Sequence, residues 1–195
     1  PFVDGILRAG IRTQTAARQM IRILQTVSVS EEGKRASLSP GALPLFRGAI
    51  DFDHGAIGQQ SHEMTLVNGN FVHGLADART FGFLHEVEWM RKNGLARGGS
   101  LENAVVLNEH GVLNPEGLRY ADEFIRHKLL DAIGDLYLAG APIIGAYHGV
   151  KAGHALKQHV ATGEQGDEHA VEQLVLPHHH AAQLVEHGLK PVAWR

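Results

Sequence analysis

The segment "ADEFIRHKLLDAIGDLYLAG", residues 121–140, constrains the fold of this chain more than any other. At roughly 100° per residue, Ile125, Leu129, Leu130, Ile133 and Leu136 fall on one side of a helix, and His127, Lys128, Asp131 and Asp135 on the other. The pattern predicts a helix over residues 122–138, ended by Gly140 and Pro142. A helix of this kind cannot bury its apolar stripe alone. It needs a layer to lie on.

The preceding sequence supplies candidates for that layer. "MIRILQTVSVS" (residues 20–30) alternates and is rich in β-branched residues, as a strand requires. "EEGKRASLSP" predicts a turn at Gly33 and a second strand ending near Pro40. "LFRGAIDFDH" (45–54) and "SHEMTLVN" (61–68) read as two more, so this part is expected to be an antiparallel run of short strands. From Asn70 the character changes. A helical start is followed by a break at residues 80–83, then a helix over 84–93 closed by Gly94. "NAVVLNEHGVLNPEG" reads as a strand and turns, "PIIGAYHGV" as a buried strand, and "GHALKQHVAT" as the opening of another helix. Residues 1–9 read as a short helix with Pro1 at its first position and Phe2, Ile6 and Leu7 on one side. Strands followed by helices point to an α+β fold, a two-layer sheet-and-helix sandwich.

Composition narrows the chemistry. Of 195 residues none is cysteine, so disulfides and thiolate ligands are excluded and any metal must be held by His, Asp or Glu. Fourteen histidines make such a site available. A net charge of -3 gives no basic field for nucleic acid, and no uncharged apolar run is long enough for a membrane span.

The polar side of the 122–138 helix has two readings. In one, it is a solvated face. In the other, His127 and Asp131, one turn apart, close on a single ion; imidazole and carboxylate suit zinc. That pair is two ligands where a catalytic zinc usually takes three and an open position. Asp135 lies too far along for the same ion and suits an acceptor that orients an imidazole. His154 in "KAGHAL" follows a predicted strand at a helix start. It reads as a capping surface residue or, beside a carboxylate such as Asp135, as a protonated acid. In "ARTFGF", Thr80 can present its hydroxyl to a pocket lined by Phe81 and Phe83, or the segment is a core-packed turn. In "AIDFDH", Phe52 between Asp51 and Asp53 is either an exposed platform for a base or an inward strand residue.

Taken in order, "ARTFGF", "GLARGGSLENAVVL", "VLNPEGLRYADEFIRHKLLDAIGDL" and "KAGHAL" resemble one family, the UDP-3-O-acyl-N-acetylglucosamine deacetylases, zinc amidases of lipid A biosynthesis in Gram-negative bacteria. The resemblance runs from Pro1 to about Leu156. It implies two similar α+β domains with the active site between them. Residues 1–160 resemble the second, carrying a βαβ-like insert at about 84–116; 161–195 form an extension of unassigned structure, and the first domain is absent. The resemblance makes His127 and Asp131 zinc ligands. It makes Asp135 the partner of His154, which protonates the leaving amine, and Thr80 a donor to the oxyanion formed at the acetamide carbonyl. Lys128 and Lys151 match positions at the sugar diphosphate, Asp51, Phe52 and Phe83 positions near the uridine. Phe81 and the insert would border the passage for the acyl chain.

The family's His-Glu pair, source of the third ligand and the general base, belongs to the first domain. His62-Glu63 has the letters but lies in a predicted strand of the second, so the role is not transferred. The resemblance therefore implies a cytoplasmic deacetylase of UDP-3-O-acyl-N-acetylglucosamine of which this chain is an inactive portion that needs its first domain as partner. The alternative is a non-catalytic α+β domain that binds a nucleotide or a protein. Ala152 and Lys157 depart from the residues usual beside the acid histidine. The tail "LPHHHAAQLVEHGLKPVAWR" has no counterpart; its three adjacent histidines read as a solvated segment or, alternatively, a secondary metal site.

Overall fold

The computed structural model describes residues 2–31, 33–153 and 189–192. Its centre is β9 (Ile143–Gly153), which pairs with three other strands. It runs antiparallel to β3 (Lys34–Ser39) and parallel to both β1 (Met20–Ile23) and β4 (Pro44–Phe52). Outside these lie β2 (Val27–Glu31) on β3, β5 (Gly58–Thr65) on β4 and β10 (Leu189–Val192) on β1, giving seven strands among the described residues.

Within the expected antiparallel run the pairs that form, β2 with β3 and β4 with β5, are antiparallel, but β9 enters between them and makes the sheet mixed. The reason is the crossover: α4 (Glu123–Tyr137) stands between β4 and β9, and a helix returning across one face delivers the next strand parallel. Residues 20–30 are two strands, not one. β1 pairs with β9 and β10 and β2 with β3, and the chain turns away between them at Leu24, which is 53% exposed. β10 falls in the stretch for which the sequence predicts no element.

A separate three-stranded sheet follows α2 (Asn70–Gly74). β6 (Thr80–Phe83) pairs parallel with β7 (Ala104–Asn108), with α3 (Leu84–Lys92) between them, and β7 pairs antiparallel with β8 (Gly111–Val112). Thus residues 80–83, expected as a helix break, are the first strand of a βαβ unit. Nothing local marks "TFGF" as a strand; its partner is 24 residues away, Thr80 opposite Ala104. Gly94 ends α3 at φ 76° as expected.

α4 fastens the two sheets together. Leu129, Ile133 and Leu136 enter a core with Ile23, Leu38, Phe46 and Tyr147, whereas Phe124 and Ile125 enter a second with Ile50, Val105 and Leu107. Each such fully buried side chain stabilises by about 1.5–3 kcal/mol. The approach is close because Gly48 leaves room: a Cβ there would lie 2.8 Å from Ile125 Cδ1 and 2.9 Å from Leu129 Cδ2. The helix on one face of a sheet is the two-layer α+β architecture the sequence predicts. α1 (Phe2–Ala9) forms too, but buries none of its residues; Phe2 is 88% exposed.

Candidate active site

The polar stripe of α4 is not a solvated face. The side chains of His127, Lys128 and Asp131 are 12%, 13% and 21% exposed. Lys128 Nζ donates to Asp131 Oδ2 at 2.8 Å and stands 5.3 Å from the ring centroid of Phe81 on β6. His127 Nδ1 is buried, 3.3 Å from Asp131 Oδ2 but without a hydrogen bond of proper geometry. Burying a ring nitrogen with that donor or acceptor unused is costly. An unsatisfied ring nitrogen beside a carboxylate oxygen fits a metal-binding pair. Among the described residues no third His, Asp or Glu completes a set of three. Burial by itself raises the Asp131 carboxyl, but the His127 and Lys128 contacts outweigh it and hold the group below the usual carboxylate range.

A pocket opens between α4 and the sheet, lined by Lys34, Lys128, Asp135, Tyr147 and Lys151 among others. Lys34 and Lys151 are direct cross-strand neighbours on β3 and β9, a like-charge pair that destabilises a sheet unless something compensates. Burial pushes the Lys151 ammonium down to about 8, Lys34 and Lys128 add to the fall, and Glu86 opposes it. Lys151 Nζ also lies 4.9 Å from the Phe52 ring centroid. In the same pocket burial pushes the Tyr147 hydroxyl up to about 12, with the Asp135 charge adding to the rise.

The aromatic residues near the site form two groups of ring contacts. Phe52 meets Phe81 at 5.9 Å and Phe81 meets Phe124 at 4.9 Å, while Phe83 sits between His54 at 5.4 Å and His85 at 5.9 Å. Phe52 is buried and points inward, the second of the two sequence readings; Asp51 accepts from Gln59 at 3.0 Å. Thr80 is exposed at the start of β6. The structure thus brings together His127, Lys128, Asp131, Asp135, Lys151, Phe52 and Phe81. Phe83 and Asp51 are held by other partners, and His154, directly after β9, lies outside the described residues, as do the three adjacent histidines of the tail. Lys34 was not singled out by sequence. Its only local signal is a turn, and its relation to Lys151 exists through strand pairing alone.

The family model described as LpxC, UDP-3-O-acyl N-acetylglycosamine deacetylase, matches residues 1–163. The chain belongs to this deacetylase family. Among relatives named UDP-3-O-acyl-N-acetylglucosamine deacetylase, one from Phenylobacterium zucineum is 53% identical over 156 residues, covering 80% of this chain and 53% of its own length. One from Psychrobacter arcticus is 49% identical, covering 80% and 49%, and one from Neisseria meningitidis 43%, covering 89% and 57%. The chain therefore spans about half the length of the curated relatives it matches.

Proposed function

We propose that this member of the deacetylase family contributes half of a zinc-dependent active site that removes the N-acetyl group from UDP-3-O-acyl-N-acetylglucosamine, a step of lipid A biosynthesis. The observation that carries the reading is the convergence of Lys34, Lys128 and Lys151 on one pocket beside the buried His127–Asp131 pair. A cluster of cations with low exposure suits a diphosphate, and the pair suits a metal.

His127 and Asp131 would hold the ion. Zinc, when bound, supplies a Lewis acid that polarises the acetamide carbonyl. Lys128 anchors Asp131 through its 2.8 Å hydrogen bond and keeps the carboxylate ionised. Thr80 offers a hydroxyl to the oxyanion that develops at that carbonyl. Asp135 orients His154, which gives its proton to the departing amine. The lysines hold the diphosphate, with Asp51, Phe52 and Phe83 toward the uridine, and Phe81 with the βαβ unit borders the acyl chain. A third ligand and a general base come from the half of the enzyme that the relatives carry beyond the span they share with this chain.

The test is to join this chain to the preceding half of a relative and assay release of acetate from UDP-3-O-acyl-N-acetylglucosamine. Turnover is expected, and His127→Ala should reduce it by at least about 100-fold. No turnover, or turnover undiminished by that substitution, would overturn the reading. A second reading is favoured by the two-ligand count among the described residues: the chain alone binds a uridine nucleotide without hydrolysing anything. It would be preferred if the joined protein bound UDP and never turned over.

A further inference from the structure

We infer that Arg79 and Glu123 are positioning residues that set Thr80 against His127 and Asp131; the inference rests on the functional reading above. Glu123 opens α4 and stands four and eight residues before His127 and Asp131, so all three lie on one stripe of the helix. Its carboxylate is wholly buried and receives four N–H donors. Arg79 contributes its backbone N–H at 2.9 Å and Nε at 3.0 Å to one oxygen, and Nη2 at 3.1 Å to the other, which also accepts from the Arg119 backbone N–H at 2.6 Å. Arg79 is itself 4% exposed and also donates to Glu116 and, at 2.7 Å, to the Gly117 carbonyl.

Two features distinguish this from a pair that only stabilises. A buried ion pair is often replaceable by apolar residues at no loss of stability, so its particular contribution is directional. The directional contact here includes the backbone of Arg79, one peptide bond from Thr80. The fork therefore fixes the start of β6 to the first turn of α4. A shift of ~1 Å between an oxyanion donor and the metal-binding pair is enough to lower turnover about 100-fold.

The experiment uses this chain joined to the preceding half of a relative. It compares Glu123→Gln, Arg79→Lys and the apolar pair Arg79→Met with Glu123→Leu, each alone and with Thr80→Val. Melting temperature, bound zinc, kcat and KM are read together. The folded variants are expected to keep one zinc and a KM within about 3-fold, while kcat falls at least about 10-fold. On the Thr80→Val background the same changes should alter kcat by less than about 2-fold, because the position they secure no longer matters. A folded variant with the parental kcat, or a full multiplicative loss on the Thr80→Val background, would overturn the inference. So would a set in which no variant folds, which would assign the pair to folding alone. An inactive parent enzyme would instead remove the functional reading on which the inference stands.

Discussion

Lys151 shows how a single side chain records the work of its site. Its ammonium is pushed down to about 8 by burial first, and by Lys34 and Lys128 next. The protonated form is therefore disfavoured in the folded protein. Between about pH 8 and the ordinary lysine value the unfolded chain binds the extra proton, so this group makes stability rise with pH across that window. Ligand binding runs the other way, because a diphosphate favours the charged form. UDP affinity should fall as pH rises through about 8, and Lys151→Met should weaken binding and flatten that dependence, as read by calorimetry at several pH values. A parent protein whose affinity is flat from about pH 7 to pH 9 would show that the lysine is not at the diphosphate. Asp131 titrates with the opposite sign. Its carboxyl is held low, so its contribution to stability is present above the ordinary carboxylate range and is lost as pH falls through its lowered value. Asp131→Asn should therefore reduce stability at neutral pH and shrink the acid loss, which thermal melts from neutral to acid pH would display.

At the scale of elements, α4 decides most. Its apolar stripe was readable because a 3.6-residue period leaves little freedom: Leu129, Ile133 and Leu136 are buried as the spacing requires. Its polar stripe was legible as residues but not as an environment. The same letters describe a solvated face and a covered site, and only the approach of β6 and β9 distinguishes them. The close seat of the helix at Gly48 yields a further prediction. Gly48→Ala places a methyl within 3 Å of Ile125 and Leu129 and should cost about 1–3 kcal/mol, seen as a lower urea midpoint with an unchanged slope. Leu129→Ala, which leaves a cavity, should cost about 2–5 kcal/mol in the same titration. If the glycine variant were as stable as the parent, the helix would not lie as close to the sheet as described.

For the whole molecule, the described residues gather Lys34, Lys128 and Lys151 at one pocket, with the His127–Asp131 pair on the same helix as Lys128, and the family relatives are about twice as long as the span they share with this chain. α1 repeats the theme in apolar form, with Phe2, Ile6 and Leu7 each more than half exposed. Zinc should bind this chain alone at least about 100-fold more weakly than it binds the chain joined to the preceding half of a relative, a comparison that competition against a chelator can make. Equal affinities would mean that His127 and Asp131, with other residues of this chain, already make a complete site. The exposed side of α1 should bind an apolar dye in the chain alone and lose it on joining. Among the described residues no helix is long and apolar enough to cross a membrane.

Elements whose cause is local were legible from the residues alone. The sequence placed α4 and α3 by periodicity and their terminal glycines, the β2–β3 turn at Gly33, and the α+β class by the order of strands and helices. Its motifs also carried the family resemblance that the comparisons bear out. Tertiary structure decided what depends on residues far apart in the chain. Pairing direction followed from the crossover helix, so β4 and β9 are parallel. "TFGF" became a strand because β7 lies beside it. Lys34 joined Lys151, and Arg79 joined Glu123, through packing that no spacing encodes. A side chain's type is written in the sequence, but its burial and its partners, which set its charge and its chemistry, are properties of the surfaces that folding brings against it.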